Sequence, residues 1–401
     1  MRTIAKATFL AAAAGIVHTH VTYPLTLVAL RRLRGERAEP LPSELPELEP
    51  EVPLVSLIVA AFDEEEVIGA KVANALASDW PRERLEVIVA SDGSSDGTVE
   101  AARAAGADVV LELPRGGKMA TQNAAAERAR GEILAFSDAN STWEPGAVAA
   151  LVAAFDDPAV GYASGVVSFT TDVAADTEPV AAGEASEEGA YWRLENRIRE
   201  LESELGGITA GNGAIYAVRR EAYVPLPPSR SHDLSFPFLL RKRGWRSVNV
   251  ADARASEKMV PTMEGEFARK RRMMIGLPDI VLADRMWDPR GYGAMYGYEI
   301  LSHRLLRYAS PFLHVKLLAA SLVLSARPCG RGMRPRTGVY RLALGAQIAL
   351  LALAAIADRL PIRPARLARY YVLTTASIAL GFWDRWRQGP PAAWEKSEGT
   401  R

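Results

Sequence analysis

The sequence lacks an excess of charge of either sign, and it has almost no cysteine. Its 401 residues include 48 basic and 48 acidic side chains, so the formal net charge is zero. This balance excludes a protein that binds nucleic acid through bulk positive charge. The single cysteine, Cys329, cannot form a disulfide within the chain, and a cysteine-rich zinc site is excluded as well.

Aromatic residues are also scarce, at 7%, but apolar residues make up 49% of the chain, which excludes a long disordered protein. Residues 7–30 contain no Asp, Glu, Lys or Arg. A helix of this length covers about 36 Å, enough to cross a bilayer. Arg31, Arg32 and Arg34 follow directly. They favour a retained anchor over a cleaved signal peptide and predict that the next residues are cytoplasmic.

The C-terminal part is apolar again, in the stretches 305–324, 339–357 and 370–382. The first contains basic side chains, so it fits either a membrane span or an interfacial helix, and the number of crossings stays open. Residues 39–53 are rich in Pro and Glu and predict a stiff linker between the anchor and the central part of the chain.

Strands and helices alternate in that central part. Four apolar runs are typical of buried strands: 55–62, 85–91, 108–111 and 132–137. Because helical patterns separate them, we predict a mostly parallel sheet covered by helices on both faces. Ligands of such sheets bind beyond the carboxyl ends of the strands, so the polar residues at those ends are candidate functional residues.

Acidic residues follow three of the four strands. The first strand leads into Asp63 and Glu65, which also fit the acidic first turn of a helix. The second leads into Asp92, beside a glycine that lets a ligand approach. The fourth leads into Asp138 and Asn140, whose oxygens are spaced to face one hard cation. Taken alone, each motif also fits a helix cap or an Asx turn.

A glycine pair precedes Lys118 at the start of a further helix, a position suited to a phosphate oxygen. In this order, the motifs resemble those of the family 2 glycosyltransferases, and the resemblance covers roughly 53–276. It implies an α/β fold of the GT-A type, which is Rossmann-like with a mostly parallel sheet, plus transmembrane or interfacial helices at both termini. The matching segments are 55–65, 89–98, 117–123 and 131–140.

The resemblance implies a nucleotide-diphospho-sugar donor and a divalent cation, Mg²⁺ or Mn²⁺. Asp138 and Asn140 occupy the metal motif Asp-x-Asp, with Asn140 in place of the second acid. Arg269 and Arg272 occupy the Gln and Arg of a Gln-x-x-Arg-Trp motif, with Met273 at the Trp position. The implied donor-binding residues are Asp63, Glu65, Asp92, Lys118, Asp138, Arg269 and Arg272.

Asp233 aligns with the family's general base, although it also fits a helix cap. His232 stands before it, where the family commonly has a second acid. The implied reaction is an inverting single displacement by an acceptor hydroxyl. The implied sugar and acceptor pocket consists of Gly211, Asn212, Gly213 and His232.

We therefore expect a membrane-bound inverting glycosyltransferase with a cytoplasmic catalytic domain and a lipid-linked or polysaccharide acceptor. Three alternatives stay open: a processive polysaccharide synthase, a nucleotidyltransferase and a non-catalytic membrane scaffold. A nucleotidyltransferase would carry a glycine-rich basic loop after the first strand, where this chain has acids. The predicted parts are an anchor (1–34), a linker (35–52), a GT-A domain (53–276), an interfacial segment (277–304), a membrane region (305–388) and a polar tail (389–401).

Overall fold

The computed structural model describes most of the chain. The predicted linker and the polar tail lie outside the described residues, apart from residues 35 and 52 at the two ends of the linker and residue 389 at the start of the tail. The described ranges are 2–35, 52–170, 187–258, 263–326, 338–360 and 362–389.

Eight strands form one sheet, in the order β3-β2-β1-β4-β7-β6-β8-β5. The strands are β1 (Val55–Ala61), β2 (Leu85–Asp92), β3 (Val109–Leu113), β4 (Ile133–Asp138), β5 (Thr142–Trp143), β6 (Val160–Thr170), β7 (Ile215–Arg219) and β8 (Arg246–Lys258). The first four strands are parallel, as predicted. The other half of the sheet is mixed, because β7 runs antiparallel to β4 and β6, and β5 runs antiparallel to β8.

Helices cover both faces of this sheet. They are α3 (Glu65–Leu76), α4 (Thr98–Ala104), α5 (Lys118–Arg128), α6 (Ala147–Ala153), α7 (Glu187–Leu205), α8 (His232–Arg241) and α9 (Met263–Ile275). Successive side chains of β1 point to opposite faces. Leu57 and Val59 join the core under α3 and α6, whereas Ile58 joins the core under α5 and α8. This burial on both sides explains why β1 is apolar throughout.

The remaining helices come from the two ends of the chain. They are α1 (Arg2–Val17), α2 (Tyr23–Arg34), α10 (Ala294–Glu299), α11 (Leu306–Ser325), α12 (Gly338–Ile356) and α13 (Arg363–Gln388). Three helical stretches are long and apolar enough to cross a membrane: Arg2–Arg34, Ala294–Ser325 and Gly338–Ile356. The third apolar stretch of the sequence lies in α13, which packs along α9.

Helices α9 and α13 are joined by close polar and backbone contacts. The guanidinium of Arg271 donates to both carboxylate oxygens of Asp384 at 2.5 and 2.7 Å. A Cβ added at Gly381 would lie 2.5 Å from the Cβ of Met274, so the absence of a side chain at Gly381 permits this approach. The α/β domain and the C-terminal helices therefore pack closely against each other through α9 and α13.

The basic end of α2 contacts the C-terminal end of α7. Arg31 forms an ion pair with Glu204 at 2.7 Å, and Arg34 donates to the carbonyl oxygen of Glu204 at 2.9 Å. Cations stabilise a helix C-terminus because the backbone carbonyls there are negative. The arginines that follow the apolar N-terminal run therefore also attach it to the α/β domain.

Gly131 precedes β4 at a position where the chain passes very close to its neighbour. A Cβ there would lie 2.4 Å from the backbone nitrogen of Ser56 and 2.8 Å from the carbonyl oxygen of Leu54. We expect Gly131→Ala to lower the free energy of unfolding by about 2 kcal/mol or more, because backbone atoms cannot give way cheaply. Urea unfolding of the detergent-solubilised chain, followed by tryptophan fluorescence, measures this.

The matched control is Gly69→Ala in α3, where an added Cβ meets nothing within 4 Å. This variant should be as stable as the original chain, or more stable by about 0.5–1 kcal/mol, because alanine favours helix. Equal unfolding midpoints for the two variants would contradict the close approach at Gly131.

Candidate active site

The acids that follow the parallel strands gather at one edge of the sheet. Strand register places Ala60 beside Asp138 and Ala61 beside Ser91, so β1, β2 and β4 end level with one another. This arrangement follows from parallel pairing, which brings the carboxyl ends of neighbouring strands together. The loops that bear the predicted donor-binding acids are therefore adjacent.

Asp63 and Glu65 join the loops after β1 and β2. The carboxylate of Asp63 accepts a hydrogen bond from the backbone nitrogen of Ser95 at 2.7 Å, and that of Glu65 accepts one from Gly97 at 3.0 Å. Asp63 has a φ of 49°, a left-handed conformation that aspartate tolerates better than most residues. Both acids thus shape this edge of the sheet, and their contact with a donor stays a prediction.

Asp92 is fully buried, and its carboxylate holds the loop before α5. It accepts hydrogen bonds from the backbone nitrogens of Gly116 and Gly117 at 2.7 and 3.0 Å, and it pairs with Arg115 at 3.1 Å. Gly117 has a φ of 87°, which favours glycine. Asp92 therefore positions Lys118, the first residue of α5, and its predicted contact with a nucleotide base remains untested.

Lys118 and Asp138 form an ion pair at the mouth of the sheet. Burial alone would lower the pKa of the Lys118 ammonium, but the charge of Asp138, the hydrogen bond to it and the charges of Asp233 and Glu257 together raise this pKa. Both side chains, with Asn140, line a cavity of about 900 Å³. The charged groups expected at a diphosphate therefore lie together on one wall.

Asp233 lies in the first turn of α8 and lines the same cavity. The nitrogen of Gly211 donates to the carbonyl oxygen of Asp233 at 2.8 Å. A Cβ at Gly211 would lie 1.9 Å from the hydroxyl of Tyr162, so only glycine fits there. Gly211, Asn212 and Gly213 also line the cavity, which brings the predicted sugar pocket beside the predicted base.

His232, in contrast, points away from this cavity. Its side chain is 2% exposed, its ring stacks on Phe236 at 4.1 Å, and its Nδ1 lies 2.6 Å from the hydroxyl of Tyr216. Burial lowers the pKa of His232 well below its usual value. The structure thus does not bring His232 together with the other predicted acceptor residues, and its placement is that of a core aromatic residue.

Arg269 and Arg272, on α9, line the cavity together with Asp138 and Asp233. Glu266 accepts hydrogen bonds from Arg269 at 2.7 and 2.9 Å, which fixes the direction of that guanidinium. Arginine side chains bind phosphate oxygens through paired hydrogen bonds. Helix α9 thus adds two cations to the lining of the cavity, and Glu266 holds one of them, Arg269, in place.

The sequence interpretation missed Lys71, which lies buried behind the loop of Asp138 and Asn140. Its ammonium donates to the carbonyl oxygen of Ser141 at 2.8 Å and lies 5.1 Å from the ring centre of Trp143. Burial lowers the pKa of Lys71 from 10.5 to about 7, although the charge of Asp138 opposes this shift. Its helical spacing could have identified it, because Lys71 falls on the buried face of α3 together with Ile68, Val72 and Ala75.

One solved structure resembles this fold along nearly its whole length. The mannosyltransferase PcManGT from Pyrobaculum calidifontis, in complex with GDP-Man and Mn²⁺, is 22% identical. The match covers 96% of this chain and 99% of that chain, with a TM-score of 0.69. The sheet, with its site at the carboxyl ends of the parallel strands, is thus a GT-A fold.

Residues 56–223 match the model of glycosyl transferase family 2. An N-acetylglucosaminyltransferase of Rhizobium leguminosarum bv. viciae is 26% identical over 64% of this chain and 65% of its own length. Glycosyltransferase AglE of Haloferax volcanii is 37% identical over 22% of this chain and 30% of its own length. The chain spans less than two-thirds of the length of these relatives.

The lowered pKa of Lys71 predicts a specific dependence of stability on pH. The unfolded chain keeps this lysine protonated up to its ordinary pKa of 10.5, whereas the folded chain releases the proton above about 7. Between these values the unfolded state binds more protons, so stability rises with pH. Relative to Lys71→Met, the original chain should gain about 1 kcal/mol of unfolding free energy per pH unit above neutrality.

Urea unfolding of both proteins at several pH values from neutral to about pH 9 provides the measurement. Circular dichroism of the folded baseline serves as the control that Lys71→Met keeps its secondary structure. Parallel profiles of unfolding free energy for the two proteins would show that Lys71 does not titrate in this range.

Proposed function

We propose that this protein is a membrane-bound inverting glycosyltransferase that uses a nucleotide-diphospho-sugar donor. Its acceptor is a hydroxyl of a lipid-linked saccharide or a polysaccharide. The observation that carries the proposal is the shared cavity, in which Lys118 and Asp138 lie on the sheet side, Asp233 at the start of α8, and Arg269 and Arg272 on α9. One space thus contains a base and a separate set of phosphate-binding cations.

The reaction divides between these two groups of residues. Asp233 takes the proton of the acceptor hydroxyl, whose oxygen attacks the anomeric carbon from the face opposite the nucleotide. The bond from that carbon to the diphosphate oxygen breaks, and negative charge grows on the leaving diphosphate. Lys118, Arg269 and Arg272 stabilise this charge. The configuration of the anomeric carbon is inverted because only one displacement takes place.

A divalent cation fits the wall of Asp138 and Asn140. Their carboxylate and amide oxygens are the hard ligands that Mg²⁺ and Mn²⁺ prefer, and Mg²⁺ commonly takes its other ligands from water and substrate phosphates. Among the described residues, no group of three or more His, Cys, Asp or Glu is placed to hold a metal ion. When bound, the cation would neutralise diphosphate charge. The Mn²⁺ and GDP-Man of the similar mannosyltransferase support this proposal.

The proposed location is the cytoplasmic membrane, with several membrane crossings and the cavity on the cytoplasmic side. Three stretches that can span a bilayer support the membrane part. Arg31, Arg32 and Arg34 support the orientation, since positive side chains flanking a span favour the cytoplasm. The cavity is also lined by residues of α11 and α13, such as Tyr308 and Thr374, which gives a membrane-associated acceptor access to it.

Asp233→Asn tests the assignment of the base. We expect turnover to fall by about 10²- to 10⁴-fold, because the amide cannot accept the proton, while binding of the nucleoside diphosphate is retained. The measurement is release of nucleoside diphosphate from a panel of nucleotide-sugars by the detergent-solubilised chain, with isothermal titration for binding. Asp252→Asn, at an exposed position of β8, is the matched control and should keep full turnover. Full activity of Asp233→Asn on every acceptor would refute the assignment.

Removal of divalent cations tests the proposed metal site. A chelator should abolish turnover, and added Mn²⁺ or Mg²⁺ should restore it. Asp138→Asn should raise the cation concentration needed for half-maximal turnover by about tenfold or more, because an anionic ligand is lost. Asp156→Asn, at an exposed position, should leave this concentration unchanged. Turnover that is insensitive both to the chelator and to Asp138→Asn would rule out the site.

A further inference from the structure

The cavity extends beyond Asp233 to a second group of cations, which the sequence motifs did not indicate. Arg199 on α7, together with Arg304 and Arg307 just before and within α11, lines this part, which we name the arginine end. Arg199 and Arg304 are 5% and 6% exposed. Guanidinium groups at this depth need oxygen partners, since burial of an unsatisfied charge is strongly unfavourable.

For Arg304, protein groups supply only part of that need. Arg307 pairs with Glu195, and the Nε of Arg304 donates to the hydroxyl of Thr209 at 2.8 Å. The Nη2 of Arg304 is buried and has no hydrogen-bond partner within the part of the chain that the structure describes. Arg304 lines the cavity, and an acceptor atom of a ligand bound beside it would satisfy this donor.

The arginine end adjoins the proposed base. Thr209, which accepts from Arg304, is two residues before Gly211, whose nitrogen donates to the carbonyl of Asp233. Tyr308 packs in one hydrophobic cluster with Leu234, the residue after Asp233. A group held by the arginines would therefore lie on the acceptor side of the reaction, away from the diphosphate wall of Lys118 and Asp138.

The charge of the cavity is larger than a donor alone requires. Nine of its lining side chains are Lys or Arg and five are Asp or Glu. The wall beside the arginine end is apolar, with Ile198, Leu367 and Ile378 among the lining residues. Anion-binding groups next to an apolar wall, at helices able to enter a bilayer, match a molecule with a charged head and a hydrocarbon tail.

We propose that the arginine end binds the phosphate group of an amphiphilic acceptor, whose hydrocarbon part follows the apolar wall toward the membrane. A phosphate is favoured because its several oxygens can accept from more than one guanidinium at a time. The inference rests on the proposed function and specifies its acceptor class. It assigns Arg199, Arg304 and Arg307 to acceptor binding, apart from the donor-binding cations.

The test uses farnesyl phosphate as a probe, added to the full chain in a neutral detergent and followed by isothermal titration. Farnesyl phosphate should bind, whereas farnesol, which has the same tail without the charge, should not. Arg199→Gln and Arg304→Gln should each weaken binding of the probe by about tenfold, because a charge-assisted hydrogen bond is lost. Arg199→Lys, which keeps the charge, should recover part of the affinity.

Arg341→Gln is the matched control, since Arg341 is exposed on α12 and does not line the cavity. Thermal unfolding of each variant checks its fold. Equal affinity for farnesol and farnesyl phosphate, or unchanged affinity in both glutamine variants, would overturn the proposal. Inorganic phosphate competing as strongly as the probe would overturn the assignment to an amphiphile. Phosphatidylglycerol competing as strongly would overturn the assignment to an acceptor, because a bulk membrane phospholipid would then fill the site.

Titration of the same samples with nucleoside diphosphate and Mn²⁺ separates this proposal from the proposed function. Retained donor binding with no binding of the probe would refute the proposed phosphate site at the arginine end but leave the proposed function intact. Absence of both would refute the glycosyltransferase proposal as well. Glutamine variants that keep donor binding and lose the probe would support a separate acceptor site.

Discussion

The carboxylate of Asp92 has no access to solvent, and its negative charge is balanced by two backbone N–H groups and by Arg115. Such a charge is stable only while all of its partners stay in place. The loop that supplies these partners leads directly into α5, so Asp92 sets where this helix begins and where Lys118 points. The ion pair of Lys118 with Asp138, and with it the diphosphate wall of the cavity, depends on this single buried interaction.

Much of the sheet could be predicted because its parallel strands are buried on both faces and are therefore apolar without interruption. Their carboxyl ends must meet at one edge, so the loops that bear Asp63, Asp92 and Asp138 were expected to be adjacent, and the register of β1, β2 and β4 agrees. Of these three acids, Asp138 is among the lining residues of the cavity, whereas Asp63 and Asp92 are not. The antiparallel half of the sheet was not predicted. Strands β6, β7 and β8 are separated by long stretches of chain, and the apolar pattern of a strand does not indicate whether the neighbouring strand runs parallel or antiparallel to it.

The errors and omissions at the site have similar causes. His232 and Asp233 are adjacent in sequence, but consecutive helical residues point in directions about 100° apart, so one enters the aromatic core and the other the cavity. Lys71 is hidden among apolar neighbours on the buried face of α3. Arg304 and Arg199 line the same cavity although they lie about a hundred residues apart in the chain, and no local sequence pattern indicates this.

The two sides of the cavity come from different parts of the chain. Lys118 follows the loop after β3, and Asp138 and Asn140 lie at the end of β4, whereas residues of α11 and α13 line another part of the cavity. The boundary between them includes the close approach of Gly381 to Met274 and the ion pair of Arg271 with Asp384. Substitutions in the C-terminal helices can therefore reshape one side of the cavity without altering the loops that bear Lys118 and Asp138, provided that Gly381 and the pair of Arg271 with Asp384 are kept.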